Sequence, residues 1–173
     1  MTTLIHTGMQ VPTDRIRVTR LDQVDIGVGV AWSAVVRNGR TKLGVIANDG
    51  RMGSQFHPVD LTAQQVMRDF VAQCRDRAGE PLNEEFVIDE LANEYEIAAI
   101  VTQTERKKKY VARGFDQHGI PELQTFALTG DGPLDYAAAL AAAPNLDLNA
   151  RTVRAELWMG PRGWVEFYQR HDT

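Results

Sequence analysis

Val28-Gly29-Val30-Ala31-Trp32-Ser33-Ala34-Val35-Val36-Arg37-Asn38-Gly39-Arg40-Thr41-Lys42-Leu43-Gly44-Val45-Ile46-Ala47 decides the fold class. Val28, Val30, Trp32, Ala34 and Val36 alternate with other residues, as on one face of a half-buried strand. Leu43, Val45 and Ala47 repeat the pattern after Asn38-Gly39, a pair that tolerates the positive φ of a type I′ turn. The stretch therefore predicts a β-hairpin with strands near 27–37 and 40–48. Upstream, Ile16 and Val18 alternate with Arg15, Arg17 and Thr19, which predicts a further strand over 15–20.

Downstream the period changes from two to about 3.6. After the glycine-rich segment 48–58, Thr62 is placed to cap a helix, with Leu61 and Val66 as a hydrophobic staple. Val66, Met67, Phe70, Val71 and Cys74 form its apolar stripe, and Gly79 is positioned to end it. Asn83 caps a second helix running to about Glu105, with Leu82 and Val87 as staple and Val87, Leu91, Tyr95 and Ala98 as its buried face. Short strands follow over 108–115 and 122–129, joined by 116–121. An alanine-rich helix is expected over 134–143, with Pro133 in its first turn and Pro144 stopping it. The chain closes on a hairpin, 153–158 and 164–168, around Gly160-Pro161-Arg162-Gly163. Helices that follow hairpins, instead of alternating with single strands, predict an α+β fold. Its antiparallel sheet is built from hairpins, with two main helices packed on one face and a short third helix.

Composition bounds the function. With 173 residues, 43% of them hydrophobic and 24% charged, the chain has material for one globular domain spanning 1–173 and is not a disordered segment. It shows no apolar run of membrane-spanning length and no signal-peptide pattern, so a soluble cytoplasmic protein is expected. One cysteine excludes an internal disulfide framework and a thiolate-rich zinc site. Nineteen Lys and Arg against twenty-three Asp and Glu give a formal charge of -4, which removes a global attraction to nucleic acid.

Charge is unevenly distributed. Glu80, Glu84, Glu85, Asp89, Glu90, Glu94 and Glu96 precede a basic run of Arg106, Lys107, Lys108, Lys109 and Arg113. Acids early and bases late in a helix complement its dipole. On a strand, Lys107, Lys109, Val111 and Arg113 would share one face while Lys108, Tyr110 and Ala112 share the other, a mixture that can hold phosphates and stack a base. Arg106, Lys107, Lys109, Tyr110 and Arg113 are therefore candidate binding residues, for a protein partner or for nucleic acid.

The 48–58 segment is the second candidate. Amides around Gly50 and Gly53 can form an anion nest, Arg51 can neutralise a phosphate, and His57 with Asp49 can exchange a proton. The segment matches neither a P-loop nor a dinucleotide fingerprint, and an ordinary turn is the competing reading. Glu90 and Glu94 sit on adjacent turns, as a carboxylate pair or as a solvated face. His6, His57, His118 and His171 fall in no metal-binding spacing, and Cys74 lies on an apolar stripe. Trp158 and Trp164 flank a hairpin tip, as core residues or as an interface hot spot.

No catalytic set, cofactor or metal is assigned. The expected function is a small non-enzymatic binding or accessory protein acting through a protein partner or self-association. The alternatives are a nucleic-acid-associated protein using 106–115 and a phosphoester hydrolase with its site at 48–57.

Overall fold

The computed structural model describes residues 1–171. It divides into two compact units, Met1–Ala98 and Ala99–Thr173. The fold class is α+β with antiparallel sheets, as expected, but the strands form two four-stranded sheets and a small ribbon instead of one sheet.

The first unit opens with the ribbon, β1 (Thr2–Thr3) against β2 (Gln10–Val11). Then come β3 (Ile16–Asp25), β4 (Val30–Asn38), β5 (Thr41–Asn48) and β6 (Ser54–Pro58), which lie side by side in chain order. β3 extends further than the sequence pattern predicts. Its exposed half, past a bulge between Val18 and Arg20, lacks the apolar alternation that marks the buried half. The β4–β5 turn also differs. Asn38 pairs with Thr41, so the two central residues are Gly39 and Arg40, and only Gly39 has positive φ (59°). That is the type II′ pattern, with glycine at the first central position.

β6 falls inside the glycine-rich segment 48–58, for which the sequence predicts no strand. Gln55 and His57 give it no apolar outer face, and its pairing rests on a close approach. Gly44 of β5 lies against the backbone of His57 and Pro58, where any side chain would collide.

Helix α1 (Leu61–Gln73) is capped by Asp60, not Thr62: the Asp60 carboxylate accepts from the Ala63 amide at 2.7 Å. Leu61 is 83% exposed, so it does not staple the helix. Cys74, not Gly79, ends α1, and Gly79 belongs to a separate turn organised by the Asp76 carboxylate. Helix α2 (Glu84–Arg106) starts as predicted, with Asn83 accepting from the Phe86 amide at 2.8 Å. Ala63, Met67 and Phe70 of α1 and Val87, Ile88, Leu91 and Ala92 of α2 join Ile16, Val18, Ala34, Val36, Leu43 and Ile46 in one buried cluster. Each large aliphatic side chain buried there contributes roughly 1.5–3 kcal/mol.

The second unit holds β7 (Tyr110–Phe115), β8 (Pro121–Phe126), the short helix α3 (Tyr136–Ala142), β9 (Arg154–Trp158) and β10 (Trp164–Gln169). Its sheet order is β10-β9-β7-β8, all antiparallel. Tyr110, Ala112 and Leu157 pack with Ala139, Ala143 and Met159. Asp135 caps α3 by accepting from the Ala138 amide at 3.0 Å, so the helix begins later than Pro133 implied, and Pro144 sits in a 3-10 turn. No helix among the described residues is long and apolar enough to cross a membrane.

Candidate functional site

Strand register in the first unit sets one transverse row of side chains across four strands. Gln23 pairs with Trp32, Trp32 with Asn48, and Asn48 with Ser54. One step inward on the same face is the row Leu21, Ala34, Ile46 and Phe56, part of the core or packed on it. One step outward are Asp25 and Val30, both exposed. The polar row therefore marks the boundary between core and solvent.

Gln23, Trp32 and Asn48 line a cleft of about 300 Å³ together with Asp89, Asn93 and Glu96 of α2. Residues 89, 93 and 96 recur at four and three positions, which puts them on one helix face. A chain of hydrogen bonds orients the cleft. The Gly50 amide donates to Asn48 Oδ1 at 2.7 Å, Asn48 Nδ2 donates to Ser54 Oγ at 3.1 Å, and Ser54 Oγ donates to Asp89. Gln23 Nε2 donates to Glu96 Oε1 at 3.0 Å. Among the described residues the lining carries two carboxylates, three amides and an indole, and no cationic side chain.

Beyond the row, the β3–β4 hairpin ends in exposed aliphatic side chains: Val24, Ile26, Val28 (78% exposed) and Val30. Ile26 reaches Gly50, in the β5–β6 loop whose next residues are Arg51 and the exposed Met52. Ile26, Val28 and Val30 are grouped at the tip beside the polar cleft, whereas Val24, which pairs with Ala31, lies on the opposite face of the sheet from Gln23 and Trp32.

The residues singled out from the sequence are dispersed. The Asp49 carboxylate accepts from the Met52 amide at 2.9 Å and the Arg51 amide at 2.8 Å, and these bonds hold it below the usual carboxylate range. Arg51 is exposed in the same loop. His57 pairs with Val45, whereas Ser54 and Phe56 pair with Asn48 and Ile46, so His57 points away from the cleft on the opposite face of the sheet. Cys74 is fully buried and burial pushes its thiol up to about 12.

Glu94 accepts from the His6 and Thr7 amides, and Glu90, raised mainly by burial, accepts from Asn93. Among the described residues, no group of three or more His, Cys, Asp and Glu is placed to hold a metal ion.

The basic run is split by the end of α2. Arg106 is in its last turn, Lys107 to Lys109 are exposed in the turn that stops it, and β7 starts only at Tyr110. Tyr110 is buried, its hydroxyl accepting from the Asp135 amide at 2.6 Å, so its ring is committed to the core. Arg113 is 3% exposed and paired with Glu156. The lysines and the aromatic ring expected to share a strand therefore have different environments. Trp158 and Trp164 face each other across β9 and β10, half-buried, with ring centroids 5.3 Å apart in an edge-on arrangement.

Asn48 falls in the 48–58 segment singled out from the sequence, but Trp32, Asp89 and Glu96, which line the cleft with it, come from separate elements that the sequence does not bring together. The only local signals were the alternation through Trp32 and the helical spacing of the acids. No protein-family model, curated protein or solved structure matches this chain.

Proposed function

We propose that this chain is a non-enzymatic binding or accessory protein that works through contact with a protein partner, at the β3–β4 hairpin tip and the adjoining cleft. The exposed set Ile26, Val28 and Val30, with Val30 one step beyond Trp32 on the cleft's face of the sheet, carries the reading. Charge complementarity selects the partner. Asp89 and Glu96 face a cleft that no cation lines among the described residues, so the partner segment presents aliphatic side chains beside a lysine or arginine. An arginine also gains from stacking on the Trp32 indole. A cytoplasmic setting belongs to the same reading and is supported by a lone, buried thiol.

Fluorescence anisotropy with labelled peptides tests this. A peptide alternating leucine with arginine should bind, and its leucine–glutamate counterpart should not. Ile26→Asp/Val28→Asp and Asp89→Asn/Glu96→Gln should each weaken binding by at least about tenfold, or ~1.4 kcal/mol. Failure of the basic peptide to bind, or binding that both double variants leave unchanged, overturns the reading.

A further inference from the structure

The ends of three strands in the second unit are stitched into one row. The Val153 amide donates to the Phe115 carbonyl at 2.8 Å, and the Arg170 amide donates to the Val153 carbonyl at 2.7 Å. This row gathers the turn that begins at Asp116, the loop through Ala150 and Arg151, and the residue following β10. Between them lies a cavity of about 330 Å³, bordered by Asp116, His118, Arg151, Val153 and Arg170.

Its walls are held by the backbone. Asp116 Oδ1 accepts from the His118 amide at 2.8 Å and the Ile120 amide at 3.0 Å, closing the turn that presents His118. Asn149 Oδ1 accepts from the Arg151 amide at 2.9 Å. Arg170 is fixed at one nitrogen, which donates to the Ala150 carbonyl, leaving its remaining donors uncommitted to that bond.

Among the described residues the charges do not balance: two permanently charged guanidiniums share the cavity with one carboxylate, and that carboxylate is already engaged by amides of its own turn. Neither Arg151 nor Arg170 forms an ion pair among the described residues. Asp116 is held below its ordinary value chiefly by the Ile120 amide, with further contributions from the nearby charges of His118 and Arg151.

We propose that this cavity binds a phosphate monoester, with Arg151 and Arg170 holding the phosphoryl oxygens and His118 adding a ring donor. Guanidinium groups match phosphate oxygens in fork geometry and form charge-assisted bonds roughly twice as strong as neutral ones. The cavity falls at the lower end of the range for small-molecule pockets, large enough for a phosphoryl group with a compact organic remainder against Val153. The cavity is built from residues of the second unit alone, whereas the hairpin tip belongs to the first, and the proposal does not depend on the partner reading.

Calorimetric titration of the full chain at constant ionic strength tests it, with inorganic phosphate, phenyl phosphate and acetate as probes. Saturable binding of both phosphates, with acetate weaker by about tenfold or more, is expected. If the organic remainder contributes, phenyl phosphate binds tighter than inorganic phosphate; equal affinity assigns the site to the free anion, which retains the phosphate chemistry. Arg151→Gln should weaken phosphate binding at least about tenfold, corresponding to ~1.4 kcal/mol. Arg170→Lys, which keeps the charge and loses the fork, should also weaken it, while Lys107→Gln should leave it unchanged. Circular dichroism confirms that each variant is folded. No saturable binding, equal affinity for acetate, or equal loss in Lys107→Gln overturns the proposal.

Discussion

Arg113 and Glu156 face each other across β7 and β9 with 2.8 Å between Nη2 and Oε2, in a position where Arg113 is almost wholly removed from solvent. The guanidinium carbon of Arg113 also lies 3.9 Å from the centroid of the Trp164 ring, and the second oxygen of Glu156 accepts from Arg154. Desolvating such charges is costly, and it is offset only when every charged atom finds a partner. Here the pairing also distinguishes the correct β7–β9 register from its neighbours, because a one-residue slip would leave Arg113 opposite an apolar side chain, Ala155 or Leu157.

Arg113→Met should therefore be destabilising by on the order of 3 kcal/mol, since it leaves Glu156 without its main partner in a buried position. Arg113→Met/Glu156→Leu should recover most of that loss. Urea denaturation midpoints of the two variants and the wild type give the comparison, and equal losses in the single and double variants would contradict the account.

Lys108 is the one described non-glycine residue with positive φ, at 57°. It follows α2 in a Schellman arrangement: the Lys109 amide donates to the Thr104 carbonyl at 3.1 Å and the Lys108 amide to the Glu105 carbonyl at 3.0 Å. Left-handed backbone costs an L-residue about 1 kcal/mol. Lys108→Gly should consequently raise stability by roughly 0.5–1 kcal/mol, visible as a higher denaturation midpoint, even though it removes a surface charge.

Cys74 gives a pH dependence of definite sign. Its thiol is raised by burial from 9.0 to about 12 in the folded chain. Below about pH 9 it is protonated in both states and its contribution is fully present. As pH rises through this window the unfolded chain ionises first, so stability falls until the folded thiol also ionises. The term is on the order of 1.4 kcal/mol for each pH unit above the unfolded value. Between pH 8.5 and 10.5 the wild type should lose more stability than Cys74→Ala, each measured against its own value at pH 8.5. Parallel losses would exclude the thiol as the source.

Periodic features were legible from sequence: the Val30–Ala47 hairpin, the start of α2 at Asn83 and the burial of Cys74 each followed from local alternation or capping chemistry. Features set by competition between neighbours were not. Asp60 and Thr62 are both competent caps, and the choice depends on which one leaves Leu61 outside the core, a tertiary outcome. Ser54 to Pro58 gives a weak strand pattern because an edge strand buries little, and its pairing depends on Gly44 making room. The lysines of 107–109 look strand-compatible, yet the end of α2 claims them. The cleft was hidden for another reason. Its members converge only once the register of four strands is known.

That register hangs on the few residues between Asn48 and Ser54. Side chains alternate strictly along β6, so a loop longer or shorter by one residue, with β5 unmoved, would turn Ser54 outward and present its neighbour to Asp89. Insertion or deletion of a single codon in this loop would thus exchange the hydroxyl beside Asp89 for a different functional group. Loop length, more than the identity of any one loop residue, is the variable through which descendants of this chain can change which side chain meets Asp89.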